Sequence, residues 1–326
     1  MIVGDVTQAF VHADMDELII TRVPREMDGL TIKVDEKEVA LCEGLWLIVL
    51  KALYGYRRSP KLWQAHFLKV LTELTCVNFQ CLKSEPVMFV DMKNRVVGIV
   101  HVDDVLLLGQ TSLCLKILEE IKIKIMIRET GRALKIGDMA EFVGKKITLI
   151  QNGFEIQGSL KVVESIVKDT NVNQCKRVDT PAVKYSAGQL EMAAELDPDS
   201  AHHHRSLLGK LMYVAWDRPD IQFGTGAASR GASRPTSVDD QRVKRVARYL
   251  SHRKVLKWRF CFDSKSNEKI KVYTDSDWAG DINSRRSTSG GILRYGGCVI
   301  KTWPTLQKLN ALSSAEAEYL AMIRGV

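Results

Sequence analysis

The 326-residue sequence contains no apolar run of about 18 residues, the length that a membrane-spanning helix needs, so we expect no membrane contact. Its seven cysteines include no Cys-x-x-Cys pair, which argues against a zinc finger and favours free thiols in a reducing compartment. Aromatic residues make up only 7% of the chain, yet 45% is hydrophobic and 26% charged, which excludes a wholly disordered or collagen-like chain. We therefore expect a globular protein of two or three domains.

Positive charge is concentrated in one stretch of the chain. The net charge is +8, and residues 201–260 alone carry thirteen Lys and Arg against four Asp and Glu. Lys244, Arg245 and Arg248 lie in this stretch, and a basic helix end of this kind can bind nucleic-acid phosphates. A solvated helix with cations near its C-terminus has the same pattern, so both interpretations stay open.

Turn signals and hydrophobic periodicity predict alternating strands and helices. Ser59-Pro60 predicts a helix start, and Asn152-Gly153 predicts a hairpin turn. The apolar run over 45–50 predicts a buried strand, and residues 171–200 have the composition of a linker. Both ends of the sequence read as if they lie inside core elements, so we expect a piece of a longer protein.

Two adjacent carboxylates, Asp103 and Asp104, interrupt an apolar run over 98–109. Charged residues are almost never fully buried unless they are paired or bind a metal, although a solvent-facing Asp-Asp turn is the ordinary alternative. Asp5 lies in another apolar strand, and carboxylates from neighbouring strands supply the oxygen ligands that Mg²⁺ prefers. Two such ions about 3.5–4 Å apart can activate an attacking hydroxyl and stabilise a leaving pyrophosphate.

A second set of carboxylates lies near the end of the chain. The segment 271–277 alternates like a strand, which predicts that Asp275 and Asp277 share a face. Glu316 and Glu318 follow on the last predicted helix, where an exposed helix face is the alternative interpretation.

These carboxylates belong to a series of motifs that resembles, in order, the Pol polyprotein of copia-type LTR retrotransposons. Three segments are similar to motifs A, B and C of that family's reverse transcriptases: residues 5–10, 51–63 and 101–104. Later segments resemble the region after the palm helix and the connecting region: residues 142–144, 218–220 and 244–250. Three more resemble the start of the family's RNase H domain: residues 273–281, 285–290 and 311–321.

The resemblance implies an α+β fold with a reverse-transcriptase palm built on an antiparallel sheet, a helical thumb or connection, and an incomplete RNase H-like α/β unit. The implied domains are a partial reverse transcriptase over 1–150, a thumb or connection over 151–265 with the linker 171–200, and the first part of RNase H over 266–326. The fingers that clamp the triphosphate are expected to be missing. The last RNase H carboxylates are also expected to be missing, and half a metal site seldom supports hydrolysis, so we expect no RNase H activity.

The resemblance also implies roles for the acidic residues. Asp5 and Asp103 would bind two Mg²⁺ ions, or Mn²⁺ in their place, with Asp104 in support. Asp275 and Glu318 would bind metal in the second set, where Glu318 fits the family better than Glu316 because Ala321 lies three residues beyond it.

Other implied roles concern the nucleotide and the nucleic acid. Phe10 would exclude a ribose 2′-OH as a steric gate, and Tyr54 and Gly55 would shape the nucleotide floor. The implied nucleic-acid contacts are cationic: Arg57, Arg58, Lys61, Lys244, Arg245 and Arg248. His101 departs from the family, which usually has Tyr at this position before Val-Asp-Asp.

The implied function is RNA-directed DNA synthesis from dNTPs on an RNA template with a DNA primer. An RNA–DNA hybrid and the rest of the Pol polyprotein would be further partners, and the expected location is the cytoplasm, in virus-like particles, or the nucleus. Two alternatives remain open: an inactive remnant that at most binds nucleic acid through residues 201–260, and a nuclease acting through Asp275 and Glu318 alone.

Overall fold

A computed structural model describes residues 1–34, 37–261 and 269–325. The chain divides into two compact units, the first of Met1–Leu134 with Asp138–Val143 and the second of Lys135–Gly137 with Gly144–Val326. Helices mix with antiparallel sheets in both units, as the sequence predicts for an α+β fold. Within the described ranges, no helix combines the length and the apolar character that crossing a membrane requires.

The first unit contains eleven strands and two α-helices among its described residues. They are β1 (Ile2–Val6), β2 (Ile20–Arg22), β3 (Thr31–Val34), β4 (Lys37–Ala40), β5 (Trp46–Ile48), α1 (Ser59–Thr72), β6 (Gln80–Leu82), β7 (Glu85–Asp91), β8 (Val96–His101), β9 (Asp104–Leu108), α2 (Thr111–Lys124), β10 (Ile127–Arg132) and β11 (Met139–Phe142). Six strands form one antiparallel sheet in the order β10-β1-β9-β8-β7-β6. This order places β1 directly beside β9, so each residue of β1 from Ile2 to Asp5 has a residue opposite it in β9.

Helix α1 begins where the sequence predicts it, with Pro60 in its first turn. Its apolar residues recur at helical spacing, so that Trp63, Phe67 and Leu71 are all buried on one face. They pack in one core with sheet residues such as Leu107 and with Ile117 of α2. Removing the Phe67 ring from this core would cost about 3–5 kcal/mol, a large share of the stability of an ordinary domain.

The prediction of a buried strand over 45–50 is wrong. Strand β5 is three residues long and pairs with β2 alone, in a sheet of two strands. Two of its three apolar side chains are exposed, Trp46 at 61% and Ile48 at 58%, and Leu47 between them is half-buried. An apolar run predicts burial only when other elements cover it, and the described residues of this unit do not cover both sides of so small a sheet.

The second unit contains six strands and six helices among its described residues. They are β12 (Lys145–Ile150), β13 (Gly153–Gln157), α3 (Leu160–Asp169), α4 (Ala187–Glu191), α5 (Pro198–Ala215), α6 (Pro219–Ser229), α7 (Ser237–His252), β14 (Lys257–Cys261), β15 (Ile270–Ser276), β16 (Thr288–Tyr295), β17 (Cys298–Leu306) and α8 (Ser314–Gly325). Helices α3, α5, α6 and α7 share one core. Strands β15, β16 and β17 form an antiparallel sheet, against which α8 packs.

The Asn152-Gly153 hairpin is confirmed, since β12 and β13 pair antiparallel across it and Asn152 has a left-handed φ of 56°. A side chain at Gly153 is excluded, because its Cβ would lie 1.8 Å from the carbonyl oxygen of Phe260. Within the predicted linker 171–200, α4 forms with a capping box at Ser186. The predicted boundary between residues 265 and 266 lies outside the described residues.

Candidate active site

The Asp-Asp pair lies at the tip of the β8–β9 hairpin, where His101 and Asp104 face each other across a two-residue turn. The first turn residue, Val102, has a left-handed φ of 57°. This conformation is rare for a β-branched residue and costs on the order of 1–3 kcal/mol. The indole N–H of Trp63 donates a hydrogen bond of 2.6 Å to the Val102 carbonyl oxygen. A buried residue of α1 therefore holds the hairpin tip in place.

Strand β1 brings a third carboxylate to this tip. Asp5 lies directly opposite Asp104 in the β1–β9 register, and the Val6 amide donates to the Asp103 carbonyl oxygen over 2.8 Å. Residues directly opposite each other in an antiparallel pair have Cβ atoms about 4.5–5.5 Å apart. Asp5, Asp103 and Asp104 are all half-buried. The structure thus brings the three carboxylates predicted from sequence to one edge of the turn.

The surroundings of Asp104 disfavour the negatively charged form of its carboxylate. Burial raises the pKa of Asp104, and the carboxylates of Asp103 and Asp5 raise it further. The backbone N–H of Val143 donates to Asp104 and opposes the rise in pKa. On the other side, the Arg128 guanidinium contacts Asp5 at 3.0 Å through both Nε and Nη2. Among the described residues, one guanidinium contacts this acidic group, and it contacts Asp5 alone.

The donor chemistry of this group fits a divalent cation. Carboxylate oxygens are the ligands that Mg²⁺ and Mn²⁺ prefer, and the raised pKa of Asp104 marks negative charge that a cation would relieve. In the described residues, however, no three His, Cys, Asp or Glu side chains are arranged to hold a metal ion. The argument for a metal ion therefore rests on the type and the charge of these three carboxylates. To bind one ion together, the side chains of Asp5, Asp103 and Asp104 would have to move closer to one another.

The residues predicted for nucleotide contact lie close together in the first unit. Phe10 lies half-buried in a 3₁₀ turn, Ala9–His12, that follows β1. Its ring lies 4.7 Å from the ring of Tyr54, with the two planes at 46°. Tyr54 is exposed, and Gly55 after it adopts a φ of 89° that favours glycine. Two of these three predicted residues are in direct contact, and the third is adjacent in the chain.

The basic residues at the start of α1 divide into two kinds. Arg57 and Lys61 are exposed, and neither has an ion pair with any residue in the described ranges. Arg58 instead forms ion pairs with Asp16 and Glu17, the second at 3.2 Å. Arg58 therefore ties the chain before α1 to the segment after β1, and its phosphate contact stays a prediction.

The three basic residues predicted on α7 all have partners within the second unit. Lys244 is exposed and pairs with Asp240 at 2.7 Å. Arg245 donates to the Thr180 hydroxyl at 2.9 Å, and Arg248 donates to the Lys176 carbonyl oxygen at 2.6 Å. Sequence reasoning missed this anchoring of the segment before α4 on α7. Nucleic-acid contact by these residues stays a prediction.

The second carboxylate set is more dispersed. Asp275 is exposed in β15 and has no ion pair or side-chain hydrogen bond with any residue in the described ranges. Glu318 of α8 accepts a hydrogen bond of 3.3 Å from the Ser276 amide, whereas Glu316 accepts one of 2.7 Å from the Leu312 amide. Of the two glutamates, Glu318 therefore contacts the strand that carries Asp275.

Asp277 does not share a strand face with Asp275 as the alternation predicts. Strand β15 ends at Ser276, and Asp277 turns its carboxylate to the backbone N–H of Thr288. The supporting residues of the first site, Trp63, Arg128 and Val143, were also missed as site residues. Trp63 and Val143 lie within segments that resemble the family, 51–63 and 142–144. Arg128 is 123 positions from Asp5, and no local pattern connects Arg128 with Asp5.

Comparison with known proteins agrees with the geometry. The family model for "Reverse transcriptase (RNA-dependent DNA polymerase)" matches residues 2–184. The chain is 29% identical to the "Retrovirus-related Pol polyprotein from transposon TNT 1-94" of Nicotiana tabacum and 28% identical to that from transposon RE2 of Arabidopsis thaliana, in each case over 97% of the chain. It covers 23% and 20% of these two relatives.

A shorter relative is more similar over a smaller region. The "Secreted RxLR effector protein 161" of Plasmopara viticola is 41% identical over 36% of the chain and 82% of its own length. The family model covers more than half of the chain, and the transposon relatives match nearly all of it. The chain therefore belongs to the reverse transcriptase family and, within it, to the Pol polyproteins of copia-type retrotransposons.

Proposed function

We propose that the first unit is a reverse-transcriptase palm and adds nucleotides to a primer 3′-OH on an RNA template. One observation carries this proposal: the pairing of β1 with β9 and the turn between β8 and β9 bring Asp5, Asp104 and Asp103 together, and the pKa of Asp104 is raised. Half-buried carboxylates that repel one another without full compensation are typical of sites that bind a cation for catalysis. Pyrophosphate is the expected leaving group.

Each residue of the first site has a role in this proposal. Asp5 and Asp103 would hold two Mg²⁺ ions and Asp104 would support them; when bound, the metal supplies stabilisation of charge at the reacting phosphate. Trp63 and the Val143 amide fix the hairpin that carries two of the carboxylates. The hairpin therefore presents its acidic groups in a defined place before substrate arrives, which lowers the cost of ordering them.

The aromatic pair would select the sugar. The Phe10 ring is packed against the Tyr54 ring and against the core, so it cannot easily move aside for a 2′-OH. Gly55 leaves the surface beside Tyr54 open, since no atom lies within 4 Å of the position its Cβ would take. This arrangement supports a flat floor for a deoxynucleotide.

The nucleic acid would be held by cations. Arg57 and Lys61 are exposed at the start of α1, where they can approach backbone phosphates.

The RNA template, the DNA primer and the dNTP are the proposed substrates, in virus-like particles of the cytoplasm. The chain spans about a fifth of the Pol polyproteins that it matches, so the remaining Pol domains are proposed partners. The second unit would supply the thumb or connection and the first part of an RNase H-like unit that binds the hybrid.

A second candidate function is nucleic-acid binding without synthesis. It is favoured by the Arg128 guanidinium on Asp5 and by the lack, in the part of the chain that the structure describes, of three side chains arranged around a metal position. In this case the basic residues would bind a strand, but the carboxylates would not support transfer.

Primer extension on poly(rA)–oligo(dT) with Mg²⁺ separates the two functions. We expect extension by the unmodified chain and a loss of more than about 100-fold in Asp103→Asn, since even outer groups of a metal site are worth about 10–100-fold. The matched control is Asp14→Asn, an exposed carboxylate of the same unit, which we expect to change the rate less than twofold. Circular dichroism checks that both variants fold.

The other outcomes point elsewhere. No extension by the unmodified chain, with template–primer binding intact in an anisotropy titration, contradicts the polymerase proposal and favours the binding function. Cleavage of an RNA–DNA hybrid that Asp275→Asn abolishes and Asp103→Asn does not would favour the nuclease.

A further inference from the structure

The second unit contains a cavity of about 930 Å³ that the proposed polymerase function does not use. It is lined by α6, by the start of α7, by the segment 180–185 and by the loop between β15 and β16. Its volume lies within the range of small-molecule sites, about 300–1,000 Å³. All lining residues belong to the second unit, so the cavity is a property of that unit alone.

The cavity is rich in arginine. Five arginines and three aspartates line it: Arg230, Arg234, Arg242, Arg245, Arg286, Asp239, Asp277 and Asp281. Two of the arginines are neutralised, Arg230 by Asp281 and Arg242 by Asp239, each at 2.8 Å. The third aspartate, Asp277, accepts the Thr288 backbone N–H.

Three of these arginines have no carboxylate partner among the residues that the structure describes. Arg234 and Arg286 are exposed, and neither donates a side-chain hydrogen bond within the described ranges. Arg245 donates from Nη2 to Thr180, but its Nε is buried without a partner. A buried donor that stays unpaired costs free energy, and a phosphate oxygen is the partner that a guanidinium fork fits best.

Two aromatic rings accompany the arginines at the cavity. Trp278 is 57% exposed, and its indole N–H donates to the Ala311 carbonyl oxygen at 3.2 Å, which fixes the ring orientation. Tyr185 lies under the Arg242 guanidinium, 5.3 Å from ring centroid to Cζ. The exposed and fixed Trp278 ring lines the same cavity as the unpaired guanidinium groups, and this combination is suited to a ligand that has a planar ring and anionic groups.

The loop that carries Trp278 and Arg286 is held by its own hydrogen bonds. The Asp281 amide donates to the Arg286 carbonyl oxygen at 3.0 Å, and the Ala279 amide donates to the Ser287 hydroxyl at 3.0 Å. A Cβ at Gly280 would lie 1.9 Å from a carboxylate oxygen of Asp277, so a larger residue there would displace the Asp277 side chain. A loop ordered in advance loses little entropy when it binds a ligand.

We propose that this cavity is a second site, separate from the palm carboxylates, and that it binds a nucleoside polyphosphate. The phosphates would contact Arg245 and Arg286, and the base would lie against Trp278. None of its lining residues is among those proposed for nucleotide transfer. A nucleotide bound there would therefore regulate the protein or be stored by it, and would not be the substrate of transfer.

Calorimetric titration of the full chain with ATP in EDTA tests this site, because without divalent metal the palm carboxylates repel the triphosphate. Adenosine and inorganic tripolyphosphate are the partial probes. We expect one ATP per chain, bound at least tenfold more tightly than either partial probe. Arg286→Gln should weaken ATP at least tenfold, whereas Arg285→Gln, an exposed neighbour outside the cavity, should leave it within twofold. Trp278→Leu should weaken ATP but not tripolyphosphate.

Three results would overturn the proposal. No ATP binding excludes the site. Equal weakening by Arg285→Gln and Arg286→Gln indicates diffuse attraction of polyanions. A dT oligonucleotide that binds more tightly than ATP and displaces it, with the same dependence on Arg286, indicates that the cavity is part of a nucleic-acid surface. Circular dichroism of each variant verifies that a loss of binding is not a loss of folding.

Discussion

The two carboxylate sets differ in what surrounds them. Asp5, Asp103 and Asp104 lie together and are half-buried. Burial raises the pKa of Asp104, and the carboxylates of Asp103 and Asp5 raise it further. In the second set, Asp275 is exposed and Glu318 accepts a backbone N–H. The first set thus carries an electrostatic cost that a cation relieves, and in the second set Glu318 already serves to attach a helix to a strand.

This difference indicates where function is expected. Mutually repelling carboxylates cost stability, and such groups cluster at functional sites, where a bound cation compensates them. A carboxylate that accepts a backbone N–H has a structural reason to be acidic. The first set therefore supports catalysis more strongly than the second.

The largest expected effect on the first carboxylate set comes from a substitution of Trp63, which holds the β8–β9 hairpin. We expect Trp63→Phe to lower the free energy of unfolding by about 1–3 kcal/mol, because the Val102 carbonyl oxygen loses its partner. Primer extension should fall about 10- to 100-fold, since the variant releases the segment that positions two carboxylates. Urea unfolding and extension rates measure the two effects.

The matched control for this substitution is Trp258→Phe, which removes the same kind of bond, 2.7 Å long, to the Asp217 carbonyl oxygen in the second unit. It should lower stability by a similar amount and leave extension nearly unchanged. Equal losses of activity in both variants would mean that general stability, not the hairpin, limits the reaction.

Local sequence signals were sufficient for several elements. Pro60 marks the start of α1, and Asn152-Gly153 marks the β12–β13 turn, because each signal acts within a few residues. The run over 45–50 failed, because burial depends on covering elements that a local pattern does not contain.

The candidate site divides in the same way. The three carboxylates could be found in the sequence because they interrupt apolar strands, and the resemblance to a family named their roles. Arg128 could not, since its contact with Asp5 arises from the pairing of β1 with β10, which are distant in the chain. Arg245 was interpreted by its charge alone, and only the fold shows that it holds Thr180.

The next prediction tests the second set. We expect Glu318→Ala to lower the free energy of unfolding of the second unit by about 1 kcal/mol, since the Ser276 amide loses its acceptor. Glu316→Ala removes a bond at an exposed helix start and should cost about 0.5 kcal/mol. Hydrogen exchange at the Ser276 amide measures the local effect. Unchanged exchange in Glu318→Ala, together with loss of hybrid cleavage, would show that the second set is catalytic.

A smaller effect with the opposite sign is expected at Asp104. Burial and its acidic neighbours raise the pKa of Asp104 above 3.8, so the folded chain binds this proton more readily than the unfolded chain. The free energy of unfolding therefore gains a contribution as pH falls through the raised pKa towards 3.8, and that contribution is absent at pH 7. Asp104→Asn should remove this pH dependence and stabilise the chain at pH 7 by no more than about 1 kcal/mol, after screening by solvent.

The control for this sign is Asp14→Asn. Asp14 forms an ion pair with Lys51, which lowers the pKa of Asp14. Because the charged form of Asp14 is already favoured, replacing Asp14 with Asn should not stabilise the chain. Thermal unfolding at pH 7 and pH 4 compares the two variants. A stabilisation by Asp14→Asn as large as that by Asp104→Asn would show that removal of any negative charge has this effect.

The smallest effect concerns Arg128, whose guanidinium contacts Asp5 of the first set. Arg128 competes with a divalent cation for Asp5, so Arg128→Gln should raise the affinity for Mn²⁺ about two- to fivefold, in keeping with the weak energy of an exposed ion pair. Arg132→Gln removes the same charge from the same strand but breaks a pair with Glu129 instead. The difference between the two variants in a Mn²⁺ titration therefore isolates the contact from the general loss of positive charge. If the two variants bind Mn²⁺ equally, Asp5 does not contribute to the metal site, and the comparison between the two carboxylate sets reduces to Asp103 and Asp104 alone.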